Sequence, residues 1–378
     1  MRIGIISTYP PIECGIATYT GYLVDALRLI ENNEVCVVSQ FGGEGKRVYP
    51  AFHADDPDLA DKVFRMMTQF TPDVVHIQHE YGLFGKSKGV NVIPLVYKFK
   101  LAGIPLVITL HSVYESFSRE ERIILDALIR TADAVIVHEF YQKEALLEQI
   151  GSVGNIRVIP HGAREIESVP GAKERIGVKE EEKVILLCGY FRPTKGLERI
   201  VRVFPLIAAR VKEAVLVIAG KTRQQEYSEY RDEFFRQVDT SPVLDKIKVL
   251  RGQFPQKTFD TILSAADVVP MPYRRGSQSG ILAHCLALGR PVVVSPEVRA
   301  LREMVIRVKC GLIAQDDDEF VEHIVKILSD DEFRGELSGN ARNYVKNNIA
   351  WRITAEKTLE VYHEVIVDPY GKTKYIEL

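Results

Sequence analysis

KVILLCGYFRPTKGLERI, Lys183 to Ile200, reads as a buried strand, a polar turn and the opening of a helix. Its first residues are apolar at consecutive positions rather than alternate ones. A strand of a parallel sheet has that pattern when both its faces are covered. Gly189 ends the strand, and a helix is expected from about Leu197 to Val211. The unit stands near the middle of the chain, and with it a series of strands begins for the second time.

On its N-terminal side lie RIGIIS, EVCVVS, DVVHIQ, PLVITL, AVIVH and IRVIP, each short and rich in β-branched residues. Helical patterns separate them, among them Tyr19 to Ile30, Asp58 to Phe70 and Glu120 to Arg130. On its C-terminal side follow AVLVIAG, IKVLRG, DVVPMP and PVVVS, again with helices between. Strand and helix in alternation predict an α/β fold with parallel, doubly wound sheets. The polar, charge-rich stretch Ala163 to Glu182 separates the two series and reads as a solvated connection. The expected organisation is therefore an N-terminal Rossmann-like domain over 1–165, a second over 166–350, and a terminal helix and tail over 351–378 crossing back to the first. Ligands of such sheets bind beyond the carboxyl ends of the strands. The tail DPYGKTKYIEL has no helical period and is expected to be extended.

At 378 residues the chain is long enough for two or three domains. A net charge of -2 offers no support for a nucleic-acid partner. The five cysteines are scattered and show no Cys-x-x-Cys pair, which fits reduced thiols in a reducing compartment. No apolar run reaches the length of a membrane span, and the first strand runs straight into a turn with no signal-peptide pattern. A cytoplasmic location is expected, which leaves peripheral membrane contact open.

Four groups of residues carry candidate chemistry. In the central turn, Arg192 and Lys195 would sit at a strand's carboxyl end, where two cations can neutralise a leaving diphosphate without a metal. In RRGSQSGILAHCLALGRPVVV, Arg274 to Val294, a polar turn opens a helix near Gly280. Ser277 and Ser279 are good N-cap types there, and a helix start with no side chain at Gly280 favours phosphate. After the first strand, the Pro10–Pro11 turn leads to Gly15, which permits close approach just before a helix. Finally VVHIQHEYGLF and VITLHS place His76, His79, Glu80 and His111 at or just past strand ends. Of these His76 lies within its strand and reads as a hydrogen-bonded structural residue, while His111 ends its strand and reads as a cleft residue. No zinc-ligand spacing is present. Taken singly, each group could also be an ordinary cap, an exposed basic loop or a plain connection.

Their order is more specific. PPIECGIATYTGYLVDAL, DVVHIQHEYGLF, ITLHS, VIPHGA, GYFRPTKGLERI, SGILAHCLALGRPVVVS, CGLIAQDDDEFVEHI and WRITAEKTLEVYHEVI together resemble a GT-B glycosyltransferase of family 4, over essentially the whole length. The resemblance implies two Rossmann-like domains facing across a cleft, and transfer of a sugar from a nucleotide-sugar donor to a carbohydrate or other hydroxyl acceptor. GDP-mannose is the donor it suggests. It implies no cofactor and no bound metal. Arg192 and Lys195 match the pair that holds the donor phosphates, His111 the first-domain histidine near the donor sugar, and Gly15 the loop facing the diphosphate. Ser279, Gly280 and Ile281 fall at the donor-gripping helix start, and Glu80 is a candidate catalytic carboxylate.

The chain departs from the family pattern at three points. Cys14 stands where a first glycine is common. Tyr190 replaces the usual arginine after the strand glycine, with Arg192 two positions on. Gly276 and His284 occupy the places of the family's two glutamates. His284 is accordingly expected at the ribose contact, since imidazole can donate or accept. Without the glutamates, an inverting reaction with Glu13, His79, Glu80 or His111 as general base stays open, as do a non-catalytic nucleotide-sugar sensor or partner subunit and a GT-B phosphorylase or epimerase.

Overall fold

The computed structural model describes residues 1–151, 153–221, 227–252 and 254–367, so the expected extended tail falls outside the described residues. The chain divides into two compact units, Met1–Gly162 with the segment that begins at Trp351, and Ala163–Ala350.

The first unit runs β1 (Arg2–Ser7), α1 (Gly15–Leu29), β2 (Glu34–Gln40), β3 (Val48–Phe52), α2 (Leu59–Gln69), β4 (Val74–His79), α3 (Val92–Leu101), β5 (Leu106–Leu110), α4 (Arg119–Thr131), β6 (Ala134–Val137), α5 (Phe140–Ile150) and β7 (Ile156–Val158). The sheet order is β3-β2-β1-β4-β5-β6-β7, parallel throughout. Period-two geometry sends Ile6, Val38, Val75 and Ile108 to one face, packed with α2, α3 and α4. It sends Ile3, Ile5, Val37 and Val107 to the other, packed with α1 and with the C-terminal helix Trp351–Val367. Both faces are covered, which is why the strands read as unbroken apolar runs. Ser118 and Glu121 start α4 with a reciprocal capping box.

The second unit runs α6 (Ala172–Arg175), β8 (Lys183–Tyr190), α7 (Glu198–Arg210), β9 (Ala214–Lys221), α8 (Ser228–Asp239), β10 (Ile247–Arg251), α9 (Gln256–Ser264), β11 (Val269–Met271), α10 (Gly280–Ala287), β12 (Val292–Val294), α11 (Arg299–Val308), β13 (Gly311–Ile313), α12 (Asp317–Ser329) and α13 (Asp331–Tyr344). Parallel ladders β10-β9-β8 and β11-β12-β13 meet along a short seam. There Leu186 N–H donates to Val268 O at 3.0 Å and Val268 N–H to Val184 O at 3.2 Å. Across the seam the order repeats that of the first unit, so each unit has a point where the winding reverses: β1 against β4, and β8 against β11. Such points leave a crevice at the strand ends.

Two sequence expectations change. Helix α1 begins at Gly15, not Tyr19, because Cys14 Sγ accepts from Ala17 N–H at 3.2 Å and caps it. The connection Ala163–Glu182 belongs with the second unit and is not merely solvated. Lys173 pairs with Asp267 at 3.1 Å with both side chains largely buried, and Val169 N–H donates to Ser264 Oγ at 3.0 Å. Its charges resemble a solvent-facing run because their partners lie some 90 residues further on. The acidic run Asp316–Glu319 caps α12, with Asp316 accepting from Glu319 N–H at 2.8 Å, and Asp317 pairs with Arg199 and Arg202.

Candidate functional site: a cationic turn against an open helix start

In the second unit, the turn after β8 is a single 3-10 turn, Pro193–Lys195, closed by Gly196 in the left-handed region (φ 58°). A Cβ at Gly196 would stand 2.3 Å from the Pro272 carbonyl oxygen, so only glycine lets this turn lie against the end of β11. Arg274 N–H then donates to Thr194 O at 2.9 Å, joining the turn to the loop before α10. Ile281 packs beside Gly189, at 3.7 Å from where a Cβ there would be. The Arg192–Lys195 turn is thereby set beside the start of α10, with Ser279, Gly280 and Ile281, at the β8/β11 crevice, and His284 lies one turn further along that helix.

The electrostatics of that crevice are unbalanced. Lys195 Nζ lies 3.4 Å from the centroid of the buried Tyr273 ring. Burial, and then the charge of Arg192, lower its ammonium from the ordinary lysine range to about 7. Arg192 Nε is buried with no partner. Among the described residues neither cation pairs with a carboxylate. Ser279 is the N-cap of α10, but its side chain makes no capping bond. A Cβ at Gly280 would meet nothing within 4 Å. Two unneutralised cations and an unobstructed helix start are the requirements of an anion site.

His284, one turn into α10, packs edge-on against Phe259 with ring centroids 5.3 Å apart. Its Nδ1 lies 3.5 Å from Arg164 Nη2. Arg164 grips Asp260 with both terminal nitrogens, at 2.9 and 2.5 Å, and Gln256 adds a bond to the same carboxylate at 2.8 Å. Burial would raise the Asp260 carboxyl, but the bonds from Arg164 and Gln256 outweigh it and hold it below the usual range. Gly276, at the other glutamate position, has room for a side chain, since a Cβ would make only an ordinary contact with Val298 at 3.7 Å. Arg164 and Asp260 carry no signal in the sequence because they are 96 residues apart and match no motif. A pocket of about 590 Å³ at the ends of β9 and β10, lined by Lys221, Arg231, Phe235, Arg236 and Arg251 among others, is likewise not legible there.

The first unit holds Gly15, Glu80 and His111. Gly15 opens α1, and a Cβ there would meet nothing within 4 Å. Glu80 accepts a bond from Ser112 Oγ at 2.5 Å. His111 is 1% exposed, not an open strand-end residue. Its Nε2 lies 2.8 Å from Gln78 Oε1 and its Nδ1 3.3 Å from His138 Nε2. His138 donates from Nδ1 to Ile159 O at 2.9 Å. His76 lies between Tyr362 Oη at 2.6 Å and Thr109 Oγ1 at 2.7 Å, a structural placement. Tyr19 sets its ring against His111, His138, His161 and Trp351. Burial lowers His76 and His138 to about 3 and His161 to about 4, and pushes His111 well below its ordinary value. His79 is buried too, lowered to about 4 and stacked on Phe84. Among the described residues no group of three or more His, Cys, Asp or Glu could hold a metal ion, and no helix is long and apolar enough to cross a membrane.

Two family models match: Glycosyltransferase Family 4 over residues 14–164 and Glycosyl transferases group 1 over residues 170–344. An uncharacterized glycosyltransferase of Methanocaldococcus jannaschii is 31% identical over 50% of this chain and 47% of its own. The phosphatidyl-myo-inositol mannosyltransferase of Mycolicibacterium smegmatis is 26% identical over 57% of this chain and 54% of its own. These matches span about half the length of each relative. Among solved structures, the sucrose-phosphate synthase of Thermosynechococcus elongatus superposes with a TM-score of 0.78 at 20% identity, covering 97% of this chain and 99% of the other. Anabaena HepE, in complex with UDP and glucose, superposes with a TM-score of 0.76 at 16% identity, covering 95% and 99%. At those identities the likeness is one of fold.

Proposed function

The chain belongs to the family 4 glycosyltransferases of the GT-B type, and from that premise we propose that it moves a sugar from a nucleoside-diphosphate donor to a hydroxyl acceptor. The observation that carries the reading is the unpaired cation couple Arg192 and Lys195 beside the open start of α10. In the transfer, the bond from the sugar C1 to the β-phosphate oxygen breaks and a bond from C1 to the acceptor oxygen forms. The diphosphate departs with added negative charge, which Lys195, Arg192 and the first amides of α10 receive. The acceptor hydroxyl gives up its proton to a base, the part assigned to Glu80. His111, buried inside the first unit and bonded through Nε2 to Gln78 Oε1, is assigned to positioning. Gly15 leaves the start of α1 open to a ligand. Ile281 seats α10 against β8, and His284 takes the ribose contact. None of these steps calls for a metal ion.

GDP-mannose is the donor proposed, on the names of relatives: the Mycolicibacterium mannosyltransferase, and a Corynebacterium glutamicum protein named as GDP-mannose-dependent, 22% identical over 52% of this chain. UDP-glucose is the rival donor. The acceptor class is a carbohydrate or another hydroxyl compound. The test is release of nucleoside diphosphate from GDP-mannose, UDP-glucose and further nucleotide sugars in the presence of an acceptor panel. Turnover of one donor supports the reading. Tight donor binding with no release across the panel would leave a nucleotide-sugar sensor in its place.

A further inference from the structure

The family pattern places a carboxylate where this chain has His284, yet a carboxylate is close by. Asp260 reaches the same neighbourhood from α9, and Arg164 stands between them. A guanidinium has five N–H donors and no acceptor. Where Arg164 Nη2 approaches His284 Nδ1, that ring nitrogen can only accept. A neutral imidazole that accepts at Nδ1 carries its proton on Nε2. Arg164 is not free to swing away. It is held through two parallel bonds to Asp260, with both side chains only about one-sixth exposed, and Gln256 secures the carboxylate in turn. Phe259 fixes the plane of the ring from the side.

We propose that Arg164 is a positioning residue that fixes His284 as the Nε2–H tautomer, so that α10 offers the nucleotide's ribose an N–H donor in place of a carboxylate acceptor. The proposal rests on the donor-site reading above. It also explains the replacement. With Asp260 already neutralising Arg164, a glutamate at 284 would add a second carboxylate competing for the same guanidinium. His284→Glu alone is therefore expected to weaken nucleotide binding, and Asp260→Asn in the same chain to recover it.

The decisive measurement is the two-bond 1H–15N spectrum of the histidine rings in the full chain, with His284 assigned by its loss in His284→Gln, before and after UDP or GDP. The expected result at pH 7.5 is an Nε2–H ring whose Nε2 resonance moves on nucleotide addition. The charge-swapped pair Arg164→Glu with Asp260→Arg puts an acceptor beside Nδ1 and is expected to turn the ring to the Nδ1–H tautomer. Arg164→Met, which keeps the stem's packing, is expected to lower UDP or GDP affinity by about tenfold. An Nδ1–H or doubly protonated His284 in the unaltered protein overturns the proposal. So does calorimetric binding of UDP or GDP that leaves His284 unmoved, and in that case the donor site itself stands. Failure of both UDP and GDP to bind at all removes the donor site, and the proposal with it.

Discussion

At the strand ends of the first unit, around the β1/β4 crevice, His76, His111 and His138 are buried and hydrogen-bonded to neighbouring groups. At the β8/β11 crevice of the second, two cations have no carboxylate among the described residues to answer them. The strand order is the same over six strands, the first unit adding β7 at its edge, and both places sit at carboxyl ends of a doubly wound sheet. His76 bonds Tyr362 and Thr109, His111 bonds Gln78, His138 and His161 bond main-chain carbonyls, and burial keeps the four rings uncharged. At Lys195, burial and the neighbouring Arg192 instead oppose the ammonium's charge, a cost that a bound anion reverses. Shared topology marks where a ligand can lie. On the proposed function, the unbalanced charge marks which of the two crevices receives the phosphates.

If that contrast is right, acid should damage the first unit most. Above about pH 6.5 the four imidazoles are neutral both folded and unfolded. Between about 6.5 and 4 only the unfolded chain takes up their protons, so stability is lost as the pH falls through that window. Four groups acting together contribute several kcal/mol, since each tenfold loss of proton affinity on folding is worth about 1.4 kcal/mol. Trp351, the one tryptophan of the chain, lies 5.0 Å from Tyr19 in that cluster and reports on it. Urea midpoints followed by its fluorescence should fall steeply from pH 7 to 5. A flat profile would mean the histidines are not sealed from water.

Substitutions in the cationic turn come next in size. Lys195→Met or Arg192→Met should lower kcat/KM on the order of 10² to 10³-fold, the usual cost of losing one preorganised contact to a developing oxyanion. Nucleotide affinity should fall in the same variants, while the urea midpoint reported by Trp351 stays where it was. Unchanged turnover in both would place the leaving group elsewhere.

A smaller effect tests the first unit's internal bonding. Tyr362 on the C-terminal helix is fully buried, and its hydroxyl is the partner of His76 Nδ1. Tyr362→Phe leaves that nitrogen with only the long 3.5 Å contact from Gln78 Nε2, at a cost of about 1–3 kcal/mol in unfolding free energy. Glu364, which pairs with Arg157 on the surface of the same helix, is a useful control. Glu364→Gln should cost well under about 1 kcal/mol. Equal effects in the two variants would show that the helix is not held through its buried face.

The parts of this arrangement that are legible in the sequence are those carried by periodicity and short spacing. The consecutive apolar runs of β1 and β8 mark buried parallel strands, and the GYFRPTKG turn marks Arg192 and Lys195 within four residues of each other. β13 is not legible, because Gly311–Ile313 is too short to show a pattern. Nor is the capping of α1 by a cysteine, an uncommon N-cap. The Arg164–Asp260 pair depends on α9 packing beside α10, and no local signal announces a partner that only tertiary structure supplies. The sequence puts His111 directly after a strand, but its burial depends on His138, which arrives from the next strand.

The smallest of the effects concerns the proton on Lys195. Free of ligand, its ammonium titrates at about 7, against an ordinary 10.5, because burial and the Arg192 charge both oppose protonation. A diphosphate beside it supplies the opposite charge and should return the group toward the ordinary lysine range. At pH 8 most of the free protein therefore carries a neutral Lys195, and the complex carries a charged one, so binding takes up a proton. Nucleoside-diphosphate affinity should weaken by about fivefold from pH 7 to 8, as the charged fraction of the free protein falls. Calorimetry in two buffers of different ionisation enthalpy would count the proton directly. In Lys195→Met the uptake should vanish while the remaining affinity becomes insensitive to pH in this range. No uptake by the unaltered protein would mean that Lys195 is already charged before the nucleotide arrives, and that the second crevice is less starved of negative charge than its geometry implies.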